Sequence, residues 1–295
     1  MIKKLSLILA VIFGSGLLIF ATTDESKNKF INEGNADYFP LKADFSGEET
    51  PLEISDVKER FDRELLVNLN LHASTILAIK RANRAFPVIE PILKQYGVPD
   101  DFKYLAVIES GLTNAVSSAG ARGVWQFMPD TAKEKGMEVN DNVDERYDLE
   151  KSTQAACAYF LKAKEKFGSW TLAAASYNGG MTGVNKQIDI QKVSNYYDLL
   201  LSEETSRYVF RILALKEIMR NPVKYGFAIN PEDLYAILPS RKMEIDSSIT
   251  DLANFAKTQG INYKILKIHN PWLRENKLIN ETGKKYQIII PLEGY

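Results

Sequence analysis

Histidine and cysteine are almost missing from this chain. Two histidines, His72 and His269, and one cysteine, Cys157, stand among its 295 residues. That supply cannot build a histidine/cysteine metal site. An all-oxygen cation site stays open on composition, but there is no Asp-x-Asp-x-Asp-Gly loop. No metal and no cofactor are therefore expected. The lone Cys157 suits an exported protein without disulfides, and its surroundings, Ala155-Ala-Cys-Ala-Tyr-Phe160, read as a buried helix position. Charge of one sign is missing too. The 37 basic residues nearly cancel the 38 acidic ones, so there is no basic footprint for nucleic acid. The 45% apolar and 25% charged fractions are those of a globular protein, long enough for one large domain or two smaller ones.

The apolar run near the N-terminus has the layout of a secretory signal. Lys3-Lys4 precede an uncharged stretch from Leu5 to Phe20, and the small residue Ala21 follows. Such a stretch makes a helix of about 24 Å, short of a hydrocarbon core of about 30 Å. Residues 1–21 are expected to be a signal peptide, with a membrane tether through residues 5–20 as the alternative. No cysteine follows the run, so no lipid-modified N-terminus is expected. Residues 22–54 are mostly acidic and polar, with scattered glycine and proline, and read as an acidic linker.

From Ser55 the pattern is helical, with Phe61, Leu65, Leu66 and Leu69 at three- and four-residue spacing. Ile76 and Ile79 continue into a second amphipathic stretch, which Pro87 and Pro91 punctuate. A further helix is expected over Val88–Tyr96, closed by Gly97. Pro99-Asp-Asp-Phe opens the next. Helices are also expected over Pro129–Lys135, over 149–167 with Asp148 as its cap, from Trp170 to Tyr177 behind Ser169, and from Thr205 to Arg220. After residue 226 the character changes. Tyr235-Ala-Ile-Leu and Lys242-Met-Glu-Ile read as strands, Ser248 to Gln259 as a helix, Ile265 to Pro271 as a second helix or turn, and Tyr286 to Pro291 as a strand. The fold class is therefore mainly α, followed by a small α+β module of βααβ order.

Glu109 is the most informative residue. It ends the apolar run Tyr104-Leu-Ala-Val-Ile108, and a Ser-Gly follows at once. No opposite charge is near in sequence. Burial and the negative end of a helix dipole both disfavour its ionised form. Such a carboxyl stays protonated near neutral pH and can act as a general acid. Asp130, Asp144, Asp148, Glu203 and Glu204 lie further on, so counting acids does not exclude a second catalytic carboxylate. Asp148 and Asp130 are more simply helix-start residues.

Four ordered blocks carry a family resemblance. They are Glu109-Ser-Gly-Leu112, Ser117-Ser-Ala-Gly-Ala-Arg-Gly-Val-Trp-Gln-Phe-Met-Pro129, Ala175-Ser-Tyr-Asn-Gly-Gly180 and Glu204-Thr-Ser-Arg-Tyr-Val209. Residues 55–226 resemble the lysozyme-like catalytic domain of lytic transglycosylases. The flanking Phe86-Pro-Val-Ile-Glu-Pro and Asn221-Pro-x-x-Tyr-Gly resemble the membrane-bound lytic murein transglycosylase D group. Residues 227–295 resemble a lysin-motif module, but the Tyr-x-Val-x-x-Gly-Asp-Thr pattern of its first strand is missing, which leaves glycan binding there open.

The resemblance implies a chemistry and a site. Peptidoglycan glycan strands are the implied substrate, placing the chain in the cell envelope, facing the periplasm. Glu109 would be the one catalytic residue, acid first and base second, cleaving the MurNAc-GlcNAc β-1,4 bond to a 1,6-anhydro product. Ser117, Gly123, Gln126, Tyr177, Asn178, Glu204 and Tyr208 would line the substrate cleft. Ser117 is expected beside the catalytic carboxyl, and Gln126 is expected to donate and accept at once. Gly123 is expected to let the backbone approach the sugar. Trp125 is read as packing, with sugar stacking as its alternative. The competing readings are a hydrolytic muramidase of the same fold and a non-catalytic cell-wall-binding protein.

Overall fold

A computed structural model of the protein describes residues 38–295. The expected signal or tether, residues 1–21, and the first half of the expected linker lie outside the described residues. Among the described residues, no helix is long and apolar enough to cross a membrane.

The fold is mostly helical. A short hairpin, β1 (Asp44–Phe45) with β2 (Glu48–Glu49), precedes α1 (Ser55–Asn70) and α2 (His72–Tyr96). A 3-10 turn, Asp100–Phe102, leads into the short α3 (Lys103–Ser110), which carries Glu109. Then follow α4 (Pro129–Glu134), α5 (Leu149–Phe167), α6 (Trp170–Gly179), α7 (Met181–Gln191) and α8 (Glu203–Arg220). The last module is β3 (Ser240–Ile245), α9 (Leu252–Thr258), α10 (Tyr263–His269) and β4 (Tyr286–Pro291). Its strands pair antiparallel from Ser240 opposite Pro291 to Ile245 opposite Tyr286, giving the expected βααβ order.

Helix α8 is the centre of the large core. It packs on α1, α3 and α6, and ten of its residues are buried, so apolar side chains face almost all round it. Helix α3 is short but buried from Tyr104 to Ile108. Eight residues are too few to hold a helix alone, so packing against α8 sustains it. Cys157 lies fully buried in α5, and burial pushes its thiol up to about 12.

Several expectations need correction. Helix α2 runs unbroken through Pro87 and Pro91. Both prolines are exposed, so the carbonyls four residues earlier, at Asn83 and Pro87, lose helical partners on the face that water reaches. Residues 235–238 are not a strand; that segment runs beside α2, where the Tyr235 amide donates to the Lys80 carbonyl at 3.2 Å. The helix expected from Ser248 starts at Leu252, because Asp251 caps it through the Ala253 and Asn254 amides. Helix α7 was not foreseen; only Val184 is buried in it, so its periodic signal is faint.

The linker differs most. Its second half is packed structure, with Phe45 fully buried in the large core. The Glu48 carboxylate, on the same hairpin, caps α6 across more than 120 residues of chain. It accepts from the amides of Trp170 (2.6 Å) and Thr171 (2.8 Å) and from the hydroxyls of Ser169 and Thr171 (both 2.7 Å). An acid at a helix N-terminus satisfies orphan donors and meets the positive end of the dipole. Burial pushes its pKa up, but the hydrogen bonds from Thr171, Trp170 and Ser169 win and bring it down to about 2.

A depressed folded-state pKa gives stability that is present above the unfolded value of 4.5 and lost as pH falls toward 2. Glu48→Gln should therefore lower unfolding stability by about 1–2 kcal/mol at pH 7. In urea titrations the gap to the wild type should narrow as pH falls through that window. A gap that stays constant would contradict the cap.

Candidate active site

Glu109 sits in the last turn of α3, which Gly111 closes in the left-handed region (φ 59°). Its Oε1 accepts a hydrogen bond from the Tyr208 hydroxyl. Tyr208 is buried in α8, 99 residues later. Burial raises the Glu109 pKa above its ordinary value. The Tyr208 bond and the charge of Arg211 pull it down, the nearby charge of Glu204 pushes it up, and the balance is upward.

The expected dipole contribution is offset. The Arg211 guanidinium donates to the Ile108 carbonyl at 3.0 Å, and Arg81 donates to the Gly111 carbonyl at 3.2 Å. Two cations thus meet the negative end of α3, where they are favourable. Sequence reasoning missed both arginines. Arg211 lies one turn beyond Tyr208, a spacing that puts both on one helix face; Arg81 left no local signal.

The segment from Ala115 to Met128 forms one wall. It is tied to the Glu109 helix by Ser110, whose hydroxyl donates to the Val124 carbonyl at 2.8 Å. It is tied to α6 by Tyr177, whose hydroxyl donates to the Trp125 carbonyl at 2.7 Å. Gln126 is held at φ 52°, where a non-glycine residue is uncommon. Its side-chain amide donates to the carbonyls of Gly123 (2.7 Å) and Ala115 (3.1 Å). Both its N–H groups are therefore spent on the wall itself. Gln126 can offer a ligand its carbonyl oxygen and no donor, which corrects the expected double role.

Three further expectations change at this wall. Ser117 serves its own turn, accepting from the Ala121 amide at 3.0 Å, and no contact brings it to Glu109. Gly123 faces protein; a Cβ there would lie 1.9 Å from the Arg146 carbonyl oxygen, so close packing requires the glycine at its φ of 83°. Trp125 is fully buried and donates to the Thr153 hydroxyl at 2.8 Å, which removes sugar stacking and leaves packing.

Helix α6 and the start of α8 supply a second group of site residues. Asn178 bridges them, donating to the Glu204 carboxylate at 2.9 Å and accepting from the Thr205 hydroxyl at 2.7 Å. Tyr177 lies near enough to Glu109 to feel its charge. Burial raises its pKa well above the ordinary value, and the Glu109 charge adds to that. Glu109, Tyr177, Tyr208 and, through Asn178, Glu204 are thus brought together. Gln126 joins them through the wall, and Ser117 does not.

Two of the remaining acids are committed, and two stand exposed. Asp144 is buried in a two-bond pair with Arg146 at 2.7 and 2.8 Å. Asp148 caps α5 through the Lys151 amide at 3.0 Å. Glu203 faces Arg63 and Arg207. Asp130 stands exposed in the first turn of α4. Among the described residues, Glu204 is the carboxylate whose charge is felt at Glu109.

Comparison with known proteins shows what this arrangement is similar to. Residues 87–200 match the transglycosylase SLT domain family. Residues 241–294 match the soluble lytic transglycosylase C-terminal LysM-like domain. Together with the helical core, these matches bear out the lysozyme-like and lysin-motif-like halves of the expected fold. The SLT match covers Glu109, Gln126, Tyr177 and Asn178 but ends before α8, so Glu204, Tyr208 and Arg211 reach the SLT site from outside the matched residues.

Two relatives are the membrane-bound lytic murein transglycosylase D proteins of Escherichia coli strain K12 and of an O6:H1 strain. Each is 29% identical over 254 residues, covering 83% of this chain and 54% of the relative. The chain therefore spans about half the length of the relatives it matches. A solved structure of an inactive mutant of lytic transglycosylase Slt from Pseudomonas aeruginosa is similar over 50% of this chain and 26% of that one. At 19% identity and a TM-score of 0.37, that likeness is too partial to carry an argument.

Tyr208→Phe removes the one neutral hydrogen bond to the Glu109 carboxyl. That bond holds the Glu109 pKa down, so its loss should move the basic limb of the pH–rate profile of any reaction in which Glu109 is the acid to higher pH. The maximal rate should fall by about ten- to a hundredfold, the worth of a hydrogen bond to a charged group. A basic limb that stays put or moves to lower pH would contradict the arrangement.

Proposed function

We propose that this chain is an exported peptidoglycan lytic transglycosylase. It would cleave the MurNAc-GlcNAc β-1,4 bond without water and leave 1,6-anhydro-MurNAc ends. One observation carries the reading. Glu109 is a half-buried carboxyl whose pKa burial raises and to which the Tyr208 hydroxyl donates, and the buried Asp144 and the half-buried Asp148 are each committed elsewhere. The SLT match and the lytic murein transglycosylase relatives support the same substrate class. No metal or other cofactor enters the reading.

In the proposed reaction the protonated Glu109 gives its proton to the glycosidic oxygen as the C1–O bond breaks. The MurNAc ring carries the resulting oxocarbenium-like charge. Its own 6-hydroxyl then attacks C1, and the Glu109 carboxylate takes that hydroxyl's proton. One residue ends as it began. Attack from within the ring has a large proximity advantage over free water, so no second carboxylate is required. Gln126 would accept from a sugar N–H or O–H, while Asn178 and Glu204 would bound the other side of the cleft. Ser117 and Gly123 would act only by shaping the wall. The catalytic unit is proposed to extend from the hairpin at residue 44 to residue 226, followed by the module from 227 to 295. A signal or tether in residues 1–21 would place the cleft against the cell wall.

The hydrolytic reading rests on Glu204, whose charge reaches Glu109. Product ends separate the two. Mass analysis of digested, purified peptidoglycan should show anhydro-muramic ends with the wild type. Turnover should fall by at least about a thousandfold with Glu109→Gln, which keeps the shape but removes the acid. Reducing ends alone would overturn the lytic reaction in favour of hydrolysis. Unimpaired cleavage by Glu109→Gln would overturn the site.

A further inference from the structure

The C-terminal module is docked on the catalytic half, not merely strung after it. Its core takes in two residues of the catalytic half, Val143 and Tyr147. Val143 pairs with Leu273 as an antiparallel bridge. The Asp144 amide donates to the Trp272 carbonyl and the Arg274 amide to the Asn142 carbonyl, each at 2.9 Å. The Asn142 side chain donates to the Lys277 carbonyl and accepts from the Ile279 amide, again at 2.9 Å. Lys284 of the module reaches Glu138 and Glu145 at 2.7 and 2.8 Å.

The same segment supports the cleft wall from behind. Asp144 holds the buried Arg146 by two hydrogen bonds. The Arg146 guanidinium donates to the carbonyls of Gly120 (3.1 Å) and Phe127 (3.2 Å). Its own carbonyl fills the space where a Cβ of Gly123 would stand. The turn it braces holds Gln126 at φ 52° and touches the Glu109 helix through Ser110 and α6 through Tyr177. A turn carrying an uncommon backbone conformation persists only when its surroundings over-determine it.

We propose that the C-terminal module is a positioning element of the cleft, acting through residues 138–147 on the turn from Gly120 to Phe127. This deepens the reading of the cleft given above and rests on it for the catalytic consequence. The module contributes no group to the chemistry. It keeps the wall that presents the Gln126 carbonyl in register with Glu109.

Two readouts test this in the full chain, with the double variant Asn142→Ala, Lys284→Ala. Amide hydrogen exchange should speed up by about tenfold or more at residues 122–127, while the hairpin and the start of α6 keep their protection. On soluble peptidoglycan strands kcat should fall by about fivefold or more, with KM changed less. Asn142→Ala alone should give smaller changes of the same kind, and it serves if the double variant does not fold. Lys284→Arg, which keeps the charge, should restore most of the protection in the Asn142-intact chain relative to Lys284→Ala. Exchange that rises only within residues 240–291, with protection at 122–127 unchanged, would overturn the proposal. So would a raised KM with an unaltered kcat, the mark of a module that only gathers substrate. If the wild type failed to cleave peptidoglycan, the proposed activity would fall, and the exchange measurement would still decide the coupling.

Discussion

A carboxyl group is held half out of water with a tyrosine hydroxyl against it, and the rest of the architecture answers to that demand. Water would stabilise the Glu109 anion; burial withholds that stabilisation and lifts its pKa. Tyr208 and Arg211 restrain the rise without cancelling it. The balance needs α3 and α8 fixed against each other closely, because a hydrogen bond that lengthens loses its worth and admits solvent.

That fixing comes from charge placed a fixed distance from the site. Asp101, just ahead of α3, is buried with Lys216 of α8 at 2.6 Å, and Arg220 adds a second contact at 3.2 Å. Glu109 follows Asp101 by eight residues, and Tyr208 precedes Lys216 by eight. The two antiparallel segments are thus tied at points about 12 Å apart at the helical rise of 1.5 Å per residue. Another buried acid, Glu64 of α1, holds Arg207, the residue beside Tyr208, at 2.7 Å. Buried pairs of this kind add little net stability, but breaking one leaves an uncompensated charge. They therefore favour one registration of the helices over its neighbours. Glu48 does the same for α6, the helix that brings Tyr177 and Asn178.

Much of this was legible in the sequence where the cause is local. Asp148, Ser169 and Gly168 mark helix ends through their own backbone geometry, and α5 falls on the expected residues. Glu109 was legible because an acid closing an apolar helix is a local conflict. What stayed hidden depends on groups distant in sequence. Nothing near Glu48 announces that α6 lacks a cap, and nothing near Arg81 announces the Gly111 carbonyl. The prolines of α2 misled because their cost depends on whether the freed carbonyls face water, which only the packed helix decides. Gln126 was placed in the cleft wall by its block, yet its hydrogens were already taken by backbone carbonyls that the turn brings back on itself. The docking of the C-terminal module on Asn142 and Val143 is of the same kind, since one valine in an otherwise polar loop reads like any solvated loop until its partner is seen.

The account turns on the protonation of Glu109 in the folded, substrate-free protein. With glutamate labelled at the side-chain carboxyl carbon, NMR titration of the wild type and of Glu109→Gln identifies the Glu109 resonance by its loss in the variant. The account predicts a midpoint above the ordinary glutamate value of 4.5, displaced upward because burial outweighs the Tyr208 bond and the Arg211 charge. A midpoint at or below that value would mean that the site stabilises the anion, and the acid role built on Glu109 would be contradicted.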